Sequence, residues 1–275
     1  KPKMGKHMNI SSKLENVTIG ADPELFVATM DGEIASAIGN VGGSKDYPRQ
    51  VPDGAVQEDN VLAEFNINPA HSRLEFINNM NSVMGSLRGI LASNGLQTVT
   101  IPSHVFAKGK LEAYGWQAME FGCTPEHSAW TDKVMKRPNG ETTNLRTAGG
   151  HIHIGYEGPN RGDSLALVQM LDFTLGLPSL TLDADTQRRK LYGKAGSMRF
   201  KPYGVEYRPL SNFWLNSEEL MAWAYDTTVW STQNLDKLPE YLKSIDKKTL
   251  TNIINKSDVK SAKAVMQELE LEVLI

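Results

Sequence analysis

Hydrophobic and polar positions alternate with period two in four separate stretches of this chain, the signature of strands with one buried face. In "VTIGADPELFV", residues 17–27, the odd positions Val17, Ile19, Ala21, Pro23, Leu25 and Val27 are apolar, and Asp22 and Glu24 lie on the other side. Pro23 has no N–H for a ladder, so the strand is expected at an edge or bulged there. In "AVQEDNVLAEFNIN", 55–68, Val61, Ala63, Phe65 and Ile67 oppose Asn60, Glu64, Asn66 and Asn68, with Leu62 as the exception. Glu58 joins the polar side if the parity runs back that far. In "RTAGGHIHIG", 146–155, two isoleucines alternate with His151 and His153. In "VEYRPLS", 205–211, Val205 and Tyr207 oppose Glu206 and Arg208.

Two other stretches step by three or four, as amphipathic helices do. Leu74, Ile77, Met80, Met84, Leu87 and Leu91 form one apolar stripe, opened by the capping box Ser72–Glu75 and closed by "SNG" at 93–95. Residues 160–177 place Leu165, Val168, Leu171 and Leu175 on one face. "QTVTIPSHVFA", 97–107, reads as a further strand, 39–54 as a long loop rich in glycine and proline, 108–145 as irregular, and 188–204 as a basic, mobile loop. Residues 216–275 read as largely helical. The expected organisation is a flexible leader or tag remnant over 1–13, a core over 14–215, and a helical part of the same domain over 216–275.

Composition narrows the function. With 40% hydrophobic and 22% charged residues the chain reads as an ordinary globular one, and a net charge of -3 gives no reason to expect nucleic acid as a partner. No apolar run approaches the ~20 residues of a membrane span. A single cysteine, Cys123, excludes an intrachain disulfide and fits a reducing, cytoplasmic setting. His7 lies in the leader and receives no role.

The polar faces of the four strands carry the chemistry. If the strands share one sheet, Asp22, Glu24, Asn60, Glu64, Glu58, His151, His153, Glu206 and Arg208 meet on one surface, and the two helices cover the other. So many carboxylates repel one another unless cations neutralise them. Hard oxygen ligands with little nitrogen suit Mg²⁺ or Mn²⁺ better than zinc. The basic run Arg188, Arg189, Lys190, Lys194, Arg199 and Lys201 offers contacts to phosphates. Taken singly, each residue has a plainer reading: a strand carboxylate is usually just solvated, and an HxH pair is as often a solvated pair as a metal site.

Four motifs, "GADPELF", "AEFNINPA", "RTAGGHIHIG" and "YGVEYRPLSNFW", occur in order from about Gly20 to Trp214. Together they resemble the phage-type carboxylate–amine ligases, a branch of the glutamine synthetase and glutamate–cysteine ligase superfamily. The resemblance implies an α+β fold with a curved, mainly antiparallel sheet, the active site on its concave face and helices on the other. It implies ATP and two or three Mg²⁺ or Mn²⁺ ions, and an amide formed from a carboxylate and an amine through an acyl phosphate. By motif position it makes Glu24, Glu64, His151 and Glu206 metal ligands, with Asp22 as a further acid. Asn60 stands where relatives carry another acid, a loss that Glu58 would cover. Arg199 and Arg208 match phosphate-binding arginines, His153 a less constant neighbour of the nucleotide. Arg189 and Lys201 are further phosphate candidates, and Arg146 and Asn60 candidates for the substrates, which are small-molecule or peptide carboxylates and amines. Relatives range from monomers to rings, so an oligomer is open. Two alternatives stand beside this: a phosphotransferase of guanidino-kinase-like architecture, and a non-catalytic metal- or peptide-binding protein with a degraded ATP site.

Overall fold

The computed structural model describes residues 9–121, 124–271 and 273; Cys123, His7 and most of the expected leader lie outside them. The strands are, in order, β1 Thr18–Ala21, β2 Glu24–Thr29, β3 Ile34–Ala35, β4 Arg49–Val51, β5 Gly54–Asp59, β6 Leu62–Ile67, β7 Leu96–Val99, β8 Ser103–Val105, β9 His127–Ser128, β10 Lys133–Val134, β11 Leu145–Thr147, β12 Ile152–Gly155, β13 Ser197–Lys201 and β14 Gly204–Tyr207. The helices are α1 Arg73–Ala92, α2 Lys110–Tyr114, α3 Trp116–Met119, α4 Arg161–Leu171, α5 Leu177–Leu182, α6 Glu218–Gln233, α7 Leu238–Ser244, α8 Lys247–Asn255 and α9 Val259–Glu268.

The chemistry-bearing strands fall into two antiparallel sheets rather than one. The first runs β1-β12-β14-β13-β9-β10; the second runs β3-β2-β6-β5-β4, with β7 also on β2. The predicted strand over 17–27 belongs to both. It bends at Asp22–Pro23, where Asp22 N–H donates to the His151 carbonyl (3.3 Å), Glu24 N–H to the Gly149 carbonyl (2.9 Å), and the Pro23 carbonyl accepts from Phe65 (3.1 Å). Proline's missing donor therefore falls at the corner between the sheets, and the two polar faces still meet there.

Helix α1 covers the inner face of the second sheet and α4 that of the first, as the apolar stripes require. The Ser72 hydroxyl accepts from Glu75 N–H (3.1 Å), and the Glu75 carboxylate accepts from His71 N–H (2.8 Å). Leu74, expected in the stripe, is 70% exposed; Phe76 and Val83 take its place inside. The other face of the second sheet is only partly open. Phe26 and Leu62 are roofed there by Phe106, Leu111 and Ala118, so the irregular segment after 107 supplies a second small core. This accounts for Leu62 as the exception to the alternation.

Four sequence expectations change. The strand over 97–107 is two short strands, β7 and β8, in different sheets, parted before Pro102. The supposed mobile loop 188–204 contains β13, paired in the middle of the first sheet, and Arg188 and Arg189 within it are buried. The helix over 160–177 continues to Leu182 through a π-turn at Asp172–Gly176. At 22 residues and mean hydropathy 1.4 it is long and apolar enough to span a membrane, but 83% of that window is buried inside the fold, so it is a core helix here. Ser11, placed in the leader, is docked: its N–H and hydroxyl donate to Asp163 near the start of α4 (2.8 and 2.7 Å).

Candidate active site

The bend at Asp22–Pro23 opens onto a cleft of about 780 Å³ lined from both sheets. Across the first sheet the register aligns Gly20, His153, Glu206 and Arg199 in one row. Across the second it aligns Glu24, Glu64 and Gln57. Cross-strand partners present side chains to the same face, so each row projects into the cleft.

Two glycines make the corner possible. A Cβ on Gly149 would lie 2.3 Å from His151 Nε2, and one on Gly150 would lie 2.3 Å from the Ser211 carbonyl oxygen and 2.4 Å from Trp214 Nε1. Trp214 Nε1 donates to the Gly150 carbonyl (3.0 Å), and the Asn212 amide donates to the Glu24 carbonyl (2.9 Å). The "SNFW" motif therefore braces the "GGH" corner from behind.

Among the described residues, two groups of side chains are close enough to hold a cation. Asp22, His153 and Glu206 bring one ligand atom each within 4.8 Å of one another; Glu24, Asp59 and Glu64 do the same. In the first group Asp22 Oδ1 lies 2.9 Å from His153 Nε2, yet Asp22 Oδ1, His153 Nε2 and Glu206 Oε2 are all buried without an aligned hydrogen bond. Asp22 Oδ1 and His153 Nε2 thus face each other as an ion pair, and Glu206 Oε2 has Lys201 Nζ at 3.5 Å; two carboxylates and an imidazole nitrogen converging in this way are a donor set that fits a divalent cation. His153 Nδ1 is occupied by the Tyr203 hydroxyl, which leaves Nε2 as the ligand nitrogen. The donor set of the second group is all carboxylate, suited to Mg²⁺ or Mn²⁺.

The electrostatics of the two groups differ. Burial alone would raise the Asp22 carboxyl, but His153 and His151 outweigh it and hold it below the usual carboxylate range. Glu206 is also lowered: burial and Asp22 oppose its charge, and Arg208 with the two histidines overcomes them. For His153, burial disfavours the charged ring, but Asp22 and Glu206 raise it above its ordinary value; for His151, burial and then Arg208 lower it. In the second group burial dominates. It raises Glu24 to about 8, assisted by Asp59 and opposed by the Gly149 N–H that donates to its carboxylate at 2.8 Å. Glu64 is raised well above its ordinary value, by burial and then by Asp59, Asp22 and Glu24. Carboxylates so destabilised as anions gain most from a bound cation.

Several residues sit where the sequence placed them. Asp22, Glu24, Glu64, His153, Glu206, Arg199, Lys201 and Arg208 all line the cleft. Lys201 Nζ is 3.5 Å from Glu206, and Arg199 donates one N–H to the Thr124 carbonyl (2.7 Å) while its Nε has no partner. Both imidazoles face the same point, as the alternation required. The resemblance favoured His151 as the ligand, but it is His153 that completes the compact group. His151 stands beside Arg208, with Nδ1 at 3.2 Å from Arg208 Nη1 and at 3.5 Å from Glu206.

Three others, Glu58, Asn60 and Arg146, also line the cleft but spend polar atoms on the protein's own backbone, and a fourth, Arg189, lies outside it. Glu58 pairs with Ala63 on the opposite face of the ladder, and its carboxylate accepts from the N–H groups of Val41 and Gly42 (both 3.2 Å). Asp59, one residue on, lines the cleft and is the third carboxylate of the second group. Asn60 occupies the turn after β5 at a φ of 54°, a left-handed conformation that asparagine tolerates, and its amide donates to the Glu120 carbonyl (2.9 Å). Arg146 spends all five N–H donors on the carbonyls of Ala118, Thr143, Leu145 and Gly140, with its guanidinium over the Phe121 ring; it builds the wall and has no donor left for a substrate. Arg189 is turned away from the cleft and donates to the Gly193 carbonyl and the Ser179 hydroxyl.

The structure also adds residues. Arg188 and Tyr192 line the cleft, and Arg188 Nε and the Tyr192 hydroxyl are buried without partners. Glu126 accepts from Arg208 Nε at 2.7 Å. Only the basic run around Arg188 signalled any of these; nothing in the irregular segment marked Glu126.

The antiparallel α+β fold thus gathers two acidic groups and several buried arginines around one cleft. Residues 131–261 match the model of the family described as phage phiEco32-like COOH.NH2 ligase-type 2, which bears out the resemblance of the motifs to the phage-type carboxylate–amine ligases. The matched span holds His151, His153, Arg199, Glu206 and Arg208; Asp22, Glu24, Asp59 and Glu64 precede it and reach the site through the fold. No curated protein matches the chain. Among solved structures, one titled "GmaS/ADP complex-Conformation 1" is similar at 11% identity and a TM-score of 0.37, covering 93% of this chain and 70% of that one. At that score the likeness carries no argument about this chain.

Proposed function

We propose that this protein is an ATP-dependent carboxylate–amine ligase that forms an amide through an acyl phosphate. The observation that carries the reading is the meeting of the two ligand groups, Asp22/His153/Glu206 and Glu24/Asp59/Glu64, with Arg199 and Arg208 in one cleft. The family match over residues 131–261 supports it. The finer fold reading, a curved sheet with this cleft on its concave side as in glutamine synthetase catalytic domains, belongs to the same proposal, as do a core over 14–215 completed by the helices of 216–275 and a reaction in the cytoplasm of an infected cell.

Asp22, His153 and Glu206 would hold one divalent cation, and Glu24, Asp59 and Glu64 a second. Bound there, the cations offset the charge that the triphosphate, the substrate carboxylate and the cleft itself would otherwise accumulate. The chain's own donors do the rest. Arg208 is held by Glu126, Glu206 and His151 before any ligand arrives, so it is pre-organised toward the phosphoryl group. Arg199, with a free Nε, and Lys201 reach the phosphate oxygens from the neighbouring strand. Arg188 and Tyr192, whose unpartnered donors face the cleft beside Glu24, orient the substrate carboxylate. The carboxylate oxygen attacks the γ-phosphorus and ADP leaves; the amine then attacks the acyl carbon and phosphate leaves.

The test is ADP release across panels of carboxylates and amines with Mg²⁺. Release that requires both a carboxylate and an amine supports the ligase. Release that requires only an acceptor, with a stable phosphorylated product, replaces it with a phosphotransferase.

A further inference from the structure

Behind the cleft lies a buried carboxylate that the proposed chemistry does not use. Asp172 is 0% exposed and opens the π-turn that interrupts the long core helix. Both of its oxygens are taken: Oδ1 accepts from the Tyr207 hydroxyl (2.8 Å) and Oδ2 from Trp130 Nε1 (2.6 Å). Each donor belongs to a segment that builds the site. Tyr207 ends β14 between Glu206 and Arg208, and strand alternation sends its ring to the helix side while its two neighbours face the cleft. Trp130 follows Glu126, the clamp of Arg208, by four residues, and Ala129 N–H donates to the Gly196 carbonyl just before β13 (2.9 Å).

The helix is shaped around this contact. A Cβ on Gly176, at the far end of the π-turn, would lie 3.1 Å from the Tyr207 hydroxyl. π-turns inside α-helices concentrate at functional sites. A buried carboxylate is a poor choice for stability alone, because apolar residues of similar volume serve as well or better. What it adds is direction: two short hydrogen bonds fix where β14 and the segment 126–130 stand against the helix.

We propose that Asp172 is a positioning residue for the active site, acting through Tyr207 and Trp130 to set Glu206 and Arg208 at the height where they meet Asp22, His153 and Glu126. The inference rests on the reading of Glu206 as a cation ligand, and the experiment separates the two. Mn²⁺ affinity is measured by titration of the folded protein, well below its thermal midpoint, for wild type, Asp172→Leu, Tyr207→Phe, Asp172→Asn and Glu206→Gln. Outer partners of metal ligands are worth 10- to 100-fold in affinity; one step further out, Tyr207→Phe and Asp172→Leu should weaken Mn²⁺ roughly 3- to 10-fold. Asp172→Asn keeps an acceptor for Trp130 and a donor for the Tyr207 oxygen, so it should stay within about twofold of wild type. A merely structural Asp172 would lower the thermal midpoint and leave Mn²⁺ affinity unchanged. Wild-type affinity in Tyr207→Phe, with Glu206→Gln weakened, overturns the positioning role; this arm stands even if Asp172→Leu does not fold. Wild-type affinity in Glu206→Gln overturns the ligand reading and the inference with it.

Discussion

The Arg208 guanidinium lies between two carboxylates, Glu126 at 2.7 Å on Nε and Glu206 on Nη1. The pair raises the arginine's pKa above its ordinary value, against a burial that would lower it. The arginine is thus aimed by a residue from the least regular part of the chain and shares its charge with a carboxylate of the first acidic group. Glu126→Ala should leave a buried guanidinium half-paired, which typically costs about 3–5 kcal/mol. Glu126→Gln keeps an acceptor for Nε and should retain most of the stability. Urea unfolding orders the three proteins; equal stability of the Ala variant and wild type would mean the contact is idle.

Glu206→Gln removes one charge from the first ligand group without removing volume. ATP turnover should fall by at least ~100-fold, while the circular dichroism spectrum and thermal midpoint stay close to wild type. Turnover within a factor of about three of wild type would remove Glu206 from the site.

Neighbouring acids on β5 should behave in opposite ways. Asp59→Asn takes a ligand from the second group and should raise the Mg²⁺ concentration needed for turnover by roughly tenfold or more. Glu58→Gln only weakens a cap on the Val41 and Gly42 amides, a surface effect of about 1 kcal/mol, with the Mg²⁺ requirement unchanged. A Mg²⁺ titration of both variants decides which acid serves the cleft.

The adjacent glycines should separate site from scaffold. Gly150→Ala drives a methyl into the Ser211 carbonyl and the Trp214 ring, and overpacking of this kind costs about 1–3 kcal/mol. Gly149→Ala collides instead with the His151 ring, so turnover should suffer more than stability. Thermal midpoints and turnover, compared side by side, check the order; the reverse pattern would mean that His151 is dispensable.

Stability should also carry the titration of Asp172, raised by burial to about 6. The folded state then holds this proton more tightly than the unfolded chain. Its contribution is full below the unfolded value near 3.8 and is lost as pH rises through about 6. The gap is worth roughly 3 kcal/mol at most. Asp172→Asn should flatten this fall, seen as a smaller difference in urea midpoint between pH 4.5 and pH 7 than in wild type.

Local pattern alone placed the apolar faces, the Ser72 cap, the two large helices, and both histidines on one side of their strand, because period-two and period-3.6 repeats are properties of neighbouring residues. The same logic chose Asp22, Glu24, Glu64, His153, Glu206 and Arg208, each on the polar side of a strand. It erred where side chains answer to distant parts of the chain. Arg146 looked free because its five acceptor contacts come from backbone around 118 and 140–145. Glu58 and Asp59 differ by one position, and only the pairing of β5 with β6 decides which of them faces the cleft. Glu126 reaches Arg208 across 82 residues of sequence, a distance no periodicity spans. What the sequence determined by itself was the resemblance to a ligase family and most of the polar residues that line the cleft. The tertiary structure alone decided that two sheets rather than one carry them, that the Asp22–Pro23 corner brings the two acidic groups together, and which charges are spent on the walls. Those outcomes depend on long-range pairing and burial, and a chain read one segment at a time contains neither.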